Sequence, residues 1–372
     1  MSGDKLQNWT VTASLAGALL WAILTASAGR GNAPLGVIEL LFSFAPLVVV
    51  PLGLALAAKV STPGVPVAEN LARVVQPGAA ACVVISFWLP PGTTAGALAT
   101  PWVVTCLLVA LSGLIGLFQS WRRMPSLVAN IARMDLALAG GWLLLSRLGI
   151  HPMGFQEPIV LLTAVHFHYS GFATALIAAA GLQAAQRKLG THTNWHAVAL
   201  AVACLPFLLA AGFVFSPLLR ATAAGAFSIS VALLASFLFR EAGAFRSRSA
   251  RIFLRAACLC VWVGMAWAVA YALGDYLHLD WITIPQMASR HGVLNALGFV
   301  MPALLAWMIE VHTPVAKEID NENRDHGWNG LCGTASGGGA GGIGTRSGPA
   351  RPRIGSARSE RPVFAAREFY DT

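Results

Sequence analysis

Charge is what this chain has least of. Charged residues make up 11% of its 372 positions, against about a quarter in soluble domains. So few cannot clothe a water-soluble fold, and a soluble globular class is excluded. Also missing is the apolar–polar alternation of outer-membrane barrel strands. No disulfide framework is present: Cys82, Cys106, Cys204, Cys258 and Cys260 fall in apolar stretches, where Cys acts as a small hydrophobe, and Cys332 follows them in the tail. Cys258 and Cys260 are two apart, so on a helix they diverge by about 200° and do not readily chelate one ion. There is no Walker A motif, so ATP-driven transport would need a partner. The spans contain no His-x-x-x-His or Glu-x-x-His pair, the spacings that membrane di-iron enzymes use. Strong basic charge before the first apolar run is lacking too. Asp4 and Lys5 precede a run over 9–29 that is longer than a cleaved signal's core and reads as an uncleaved helix.

What is present is hydrophobic mass, 56% of the chain. It is divided into runs of about twenty residues, each long enough to cross roughly 30 Å of hydrocarbon. Lipid offers the backbone no hydrogen bonds, so these runs must be helical. The fold class expected is all-α, a polytopic transmembrane bundle of about ten helices occupying residues 1–310. The spans fall near 9–29, 34–58, 74–90, 99–118, 126–147, 158–181, 196–215, 218–239, 253–274 and 285–310. The third is shortened by Pro77 and by Pro90 and Pro91.

Lys and Arg set the expected orientation. Even-numbered loops carry Lys59 and Arg73, then Arg122 and Arg123, then Arg187 and Lys188, then five arginines between Arg240 and Arg255. Odd-numbered loops carry only Arg30, Arg147 and Arg220, and the ninth is acidic, with Asp275 and Asp280. This alternation places both termini on the cytoplasmic side. Residues 311–372 run from an acidic patch through a Gly/Ser-rich stretch to a basic one, the composition of a disordered cytoplasmic tail. The net charge of +9 reflects this tail and the inner loops, and no nucleic-acid partner is inferred.

Ionisable groups inside a membrane are costly and tend to face the bundle interior. The fifth span holds Arg133 and Asp135 near its inner end. The sixth contains His166, His168, Tyr169 and Ser170, and the tenth contains Arg290, His291 and Asn295. At about 1.5 Å per residue, His166 and His291 both lie roughly 10 Å below the outer boundary. His166 and His168 point to nearly opposite sides of a helix, and His166 shares its face with Tyr169 and Ser170. The expected site combines a histidine of the sixth span with His291 and Arg290. In it the histidines move protons and Arg290 holds an anionic group or neutralises Asp135. Glu157, His151, Asp275 and His278 are expected near the mouth, with Glu157 more simply a helix-start carboxylate before Pro158. Gly140, Gly141 and Gly298 are expected to permit close helix approach, and Asn295 and Tyr169 serve equally well as interhelical struts.

Two stretches carry a resemblance. Residues 138–143 with 158–172, centred on His166-Phe167-His168-Tyr169, and residues 291–299, from His291 through Asn295 to Phe299, resemble the YndJ-like family of bacterial membrane proteins. The resemblance covers about 125–310 and implies a bundle in a bacterial inner (cytoplasmic) membrane without specifying an activity. It adds weight to His166, His168 and His291. The leading expectation is a carrier or ligand-binding membrane protein with an outward-facing His/Arg pocket. Its partners would be membrane lipid and a small anionic or lipophilic ligand, with no cofactor or metal. The alternatives are a membrane-embedded enzyme acting on a lipid or isoprenoid, with His as general acid or base, and haem or metal binding by one histidine from each helix.

Overall fold

A computed structural model describes residues 3–60, 67–189, 193–279 and 281–313. The tail expected to be disordered lies outside the described residues. Among those described there are ten helices and no strand. They are α1 (Gly3–Gly29), α2 (Val37–Val60), α3 (Val67–Ser86), α4 (Thr93–Ser120), α5 (Met124–Leu148), α6 (Ile159–Arg187), α7 (Thr193–Phe215), α8 (Pro217–Glu241), α9 (Arg248–Tyr276) and α10 (Ile284–His312). All except α3 are long and apolar enough to cross a bilayer. The protein is a multi-helix membrane protein.

Local chemistry sets several boundaries. Gly149 adopts the left-handed conformation (φ 72°) that ends α5, its N–H reaching the carbonyls of Leu145 and Ser146. Ser216 caps α8 through Leu219 N–H, with Pro217 in the first turn. Thr283 and Gln286 close a reciprocal capping box at the start of α10.

Sequence neighbours pack as antiparallel pairs, α4 on α5, α7 on α8 and α8 on α9. The end of the bundle that holds the C-terminus of α9 is named here for Asp275. Helix α2 runs through the middle, touching α1, α3, α6 and α10, and is buried along nearly its whole length. Its backbone carbonyls serve its neighbours. Trp21 donates to Leu40 O (2.8 Å), Tyr169 to Leu41 O (2.7 Å), Gln76 to Pro46 O (2.5 Å) and Ser14 to Val48 O (3.2 Å). Pro46, Pro51 and a π-helical turn at Ala45–Val49 loosen its internal ladder, freeing acceptors for these bonds. Gly17 of α1 sits where a Cβ would come 2.0 Å from Leu47 O, so only glycine lets α1 lie this close.

The third helix corrects the expectation. It runs Val67–Ser86 rather than 74–90, and Arg73 is a buried helix residue rather than a loop cation. Glu69, one turn earlier, accepts from Arg73 Nη2 (2.5 Å), Arg133 Nε (2.8 Å) and Ser112 Oγ (3.2 Å). Arg73 also donates to Leu54 O of α2. Two arginines around one carboxylate thus tie α3 to α2, α4 and α5. Charges satisfied inside the bundle do not report which side of a membrane they face, so Arg73 loses its weight as an orientation marker. The same holds for Arg147, which is buried at the end of α5, donating to Ser86 O (3.1 Å) and Leu89 O (2.8 Å).

Candidate functional site

Helices α6 to α10 enclose a cavity of about 270 Å³, with Leu41 of α2 and Trp142 of α5 completing the wall. It is long. Along α9 its lining runs from Asp275 to Val261, about 21 Å at roughly 1.5 Å per residue. Most of the wall is aliphatic or aromatic, including Leu162, Phe213, Phe227, Met265 and Phe299. Polar groups occur at two levels: Arg220, Tyr271 and Asp275 at the mouth, and His166, Ser170, His291 and Asn295 further in.

Three π-helical turns shape this inner level, at Phe167–Thr174 in α6 and at Ala288–Gly292 and Leu294–Val300 in α10. Such a turn inserts an extra residue and re-aims side chains, a device frequent at functional sites. His166 Nδ1 bonds Leu162 O at 2.9 Å. A carbonyl only accepts, so Nδ1 carries the hydrogen and Nε2 is left as a bare acceptor. His166 is exposed, and it lines the slot. Opposite, His291 Nδ1 donates to Gly264 O of α9 (2.8 Å), and Asn295 Nδ2 donates to His291 Nε2 (3.2 Å) and to His291 O (2.8 Å). Asn295 Oδ1 is buried without a partner. The sixth and tenth helices therefore do bring His166, Ser170, His291 and Asn295 to one cavity, with Tyr169 beside them. Tyr169's hydroxyl is spent on Leu41 O, making it a strut to α2 as well as a wall.

Two residues expected in the pocket lie elsewhere. His168 is fully buried on the other face of α6. It stacks on Trp102 with ring centres 5.9 Å apart and meets Phe42 edge-on at 5.3 Å. Its Nδ1 donates to Ala164 O (2.8 Å), while Nε2 accepts from Trp102 Nε1–H (3.2 Å). Both nitrogens are occupied, so this imidazole is a fixed neutral cross-link. Arg290 is exposed, its guanidinium 4.8 Å from the ring centre of Trp267, and is not part of the slot lining. The offset of about 100° from His291 carries it round the helix. Asp135 meets no arginine. Both carboxylate oxygens are buried without a hydrogen bond, packed against Gly171, where a Cβ would come 2.7 Å from Oδ2. Arg133, two residues earlier, is committed to Glu69.

At the Asp275 end, Glu157 accepts from Leu161 N–H (3.2 Å), the helix-start role expected of it. Asp275 lines the slot and is paired with Arg220 of α8, whose guanidinium also lies 5.1 Å from the ring centre of Phe213. His151 and His278 are absent from the slot lining. Among the described residues no group of three or more His, Cys, Asp or Glu could hold a metal ion. Gly140 and Gly298 give close approach to Cys106 and Cys260, whereas Gly141 faces open space. Sequence reasoning missed Trp102, Tyr271 and the Arg220–Asp275 pairing. The last was accessible in principle, since opposite charges ended adjacent spans at the same boundary.

A family model described as YndJ-like protein matches residues 40–299. The curated protein named "Uncharacterized membrane protein YndJ" from Bacillus subtilis (strain 168) is 28% identical over 223 residues, 60% of this chain and 40% of that protein. The chain thus spans well under half the length of that relative. No solved structure matches. With the match running from α2 into α10 and taking in all five helices that wall the slot, this chain belongs to the YndJ-like family.

Proposed function

We propose that the protein binds, and as a carrier moves, a lipophilic molecule with a polar end, held in the slot between α6 and α10. The observation that carries this reading is a long, mostly apolar slot interrupted by His166, whose Nε2 has no protein partner among the described residues. An apolar chain leaving a bilayer gains no hydrophobic energy, because lipid tails are as apolar as the wall. The wall therefore selects shape, and the polar groups select identity. A hydroxyl or amide N–H of the ligand would donate to His166 Nε2. With Arg290 turned away from the slot, the inner level offers an anionic group no arginine or lysine, which favours a neutral polar group there. One hydrogen bond in this setting contributes about 1 kcal/mol, so affinity is modest and carrier-like.

The test is native mass spectrometry with lipidomics on protein purified in mild detergent, comparing wild type with Ala268→Trp. Ala268 lines the slot, and an indole there fills it. A specific lipid retained by wild type and lost from the folded variant is the expected result. Equal retention by both, or none by either, overturns the reading.

A further inference from the structure

The mouth of the slot carries a second kind of information. The slot's length, about 21 Å, exceeds the ~15 Å of one leaflet's hydrocarbon by little more than an interfacial layer. It also opens at the helix ends, where headgroups lie. A lipid could enter with its chain pointing inward and its head left at the level it occupies in the leaflet.

What that head would meet is Arg220, Tyr271 and Asp275. Arg220 Nη2 is paired with Asp275 Oδ2, and the two side chains keep 26% and 35% of their surface exposed. Each therefore has bonding capacity to spare: a guanidinium has five N–H donors, a carboxylate about four acceptor positions. Phe213 supports the guanidinium from the slot side.

Resting on the reading of the slot as a lipid site, we propose that this mouth recognises a lipid with a zwitterionic head, its phosphate taken by Arg220 and its ammonium by Asp275. The pair selects by charge balance. A zwitterion exchanges one ion pair for two complementary ones and leaves neither side chain unmatched. A purely anionic head brings a like charge up to Asp275, and a purely cationic one does the same to Arg220. Arginine's planar fork matches two phosphate oxygens at once, and the Tyr271 hydroxyl adds a neutral donor beside it.

The experiment uses the full chain in mild detergent and three probes sharing one acyl chain length: lysophosphatidylethanolamine, lysophosphatidylglycerol and an alkyl trimethylammonium. Binding is read by native mass spectrometry. Wild type is expected to hold lysophosphatidylethanolamine at least about fivefold more tightly than either singly charged probe. Asp275→Asn should shift the preference to lysophosphatidylglycerol, and Arg220→Gln should shift it to the alkyl trimethylammonium. The double variant Arg220→Gln with Asp275→Asn leaves no orphaned charge and should fold normally while losing the selection. Equal binding of all three by wild type, or an unchanged ranking in the variants, overturns the head assignment. If Ala268→Trp then still releases every probe, the slot reading survives that failure. No retention of any probe by wild type overturns both.

Discussion

Glu69 is the position where one atom's change should cost most. Glu69→Gln keeps the shape of the side chain but removes the only anion paired with Arg73 and Arg133 among the described residues; their side chains are 2% and 3% exposed. Breaking a buried pair by removing one partner costs about 3–5 kcal/mol, because the remaining charge stays buried. At roughly 2 °C per kcal/mol for a chain of this size, Tm should fall by about 6–10 °C. The assay is thermal unfolding of detergent-solubilised protein followed by tryptophan fluorescence, with size exclusion to confirm a monodisperse start. Replacing Glu69, Arg73 and Arg133 together by Met should recover most of the loss, since a matched apolar set carries no desolvation penalty. A Tm change of under about 2 °C for Glu69→Gln would refute the argument, because it would mean that water or detergent already solvates the two guanidiniums.

The two histidines of α6 should separate cleanly. His168→Leu strands the Trp102 N–H and should cost about 1–3 kcal/mol of stability, read as a lower Tm. His166→Leu should leave Tm nearly unchanged and weaken lipid retention by about fivefold, one lost hydrogen bond of about 1 kcal/mol. Gly17→Val forces a side chain into Leu47 of α2 and should destabilise by about 1–3 kcal/mol or more, whereas Gly141→Ala, facing open space, should be silent in the same melt.

The bundle was legible because its signal is composition and run length, which no tertiary contact overrides: nine of the ten helices are apolar enough to declare themselves. The tenth, α3, was misplaced because its first turns are polar, and Glu69 is neutralised by partners 4, 43 and 64 positions away. Of these only Arg73, one helical turn on, shows in the local sequence. In the slot, matching depth on two helices was readable from residue counts, and His166 and His291 do share a cavity. Depth says nothing about azimuth, however. The offset of about 100° separates Arg290 from His291, but which of the two faces the slot is set by how α10 packs on its neighbours, which a single sequence does not reveal. His168 was grouped with His166 because both are unusual in an apolar run, although two-residue spacing alone already sent them to opposite sides.

The polar third helix also bears on how the chain is made. Nine helices can leave the translocation channel for lipid on their own apolarity. Helix α3 falls below that measure, and Arg133, the second arginine on its Glu69, comes 64 residues later. At roughly 5–20 residues per second, the ribosome needs about 3–13 s to deliver it. Until then Glu69 has only Arg73 of its own helix, so the polar contacts of α3 are complete only once the fifth helix has been made.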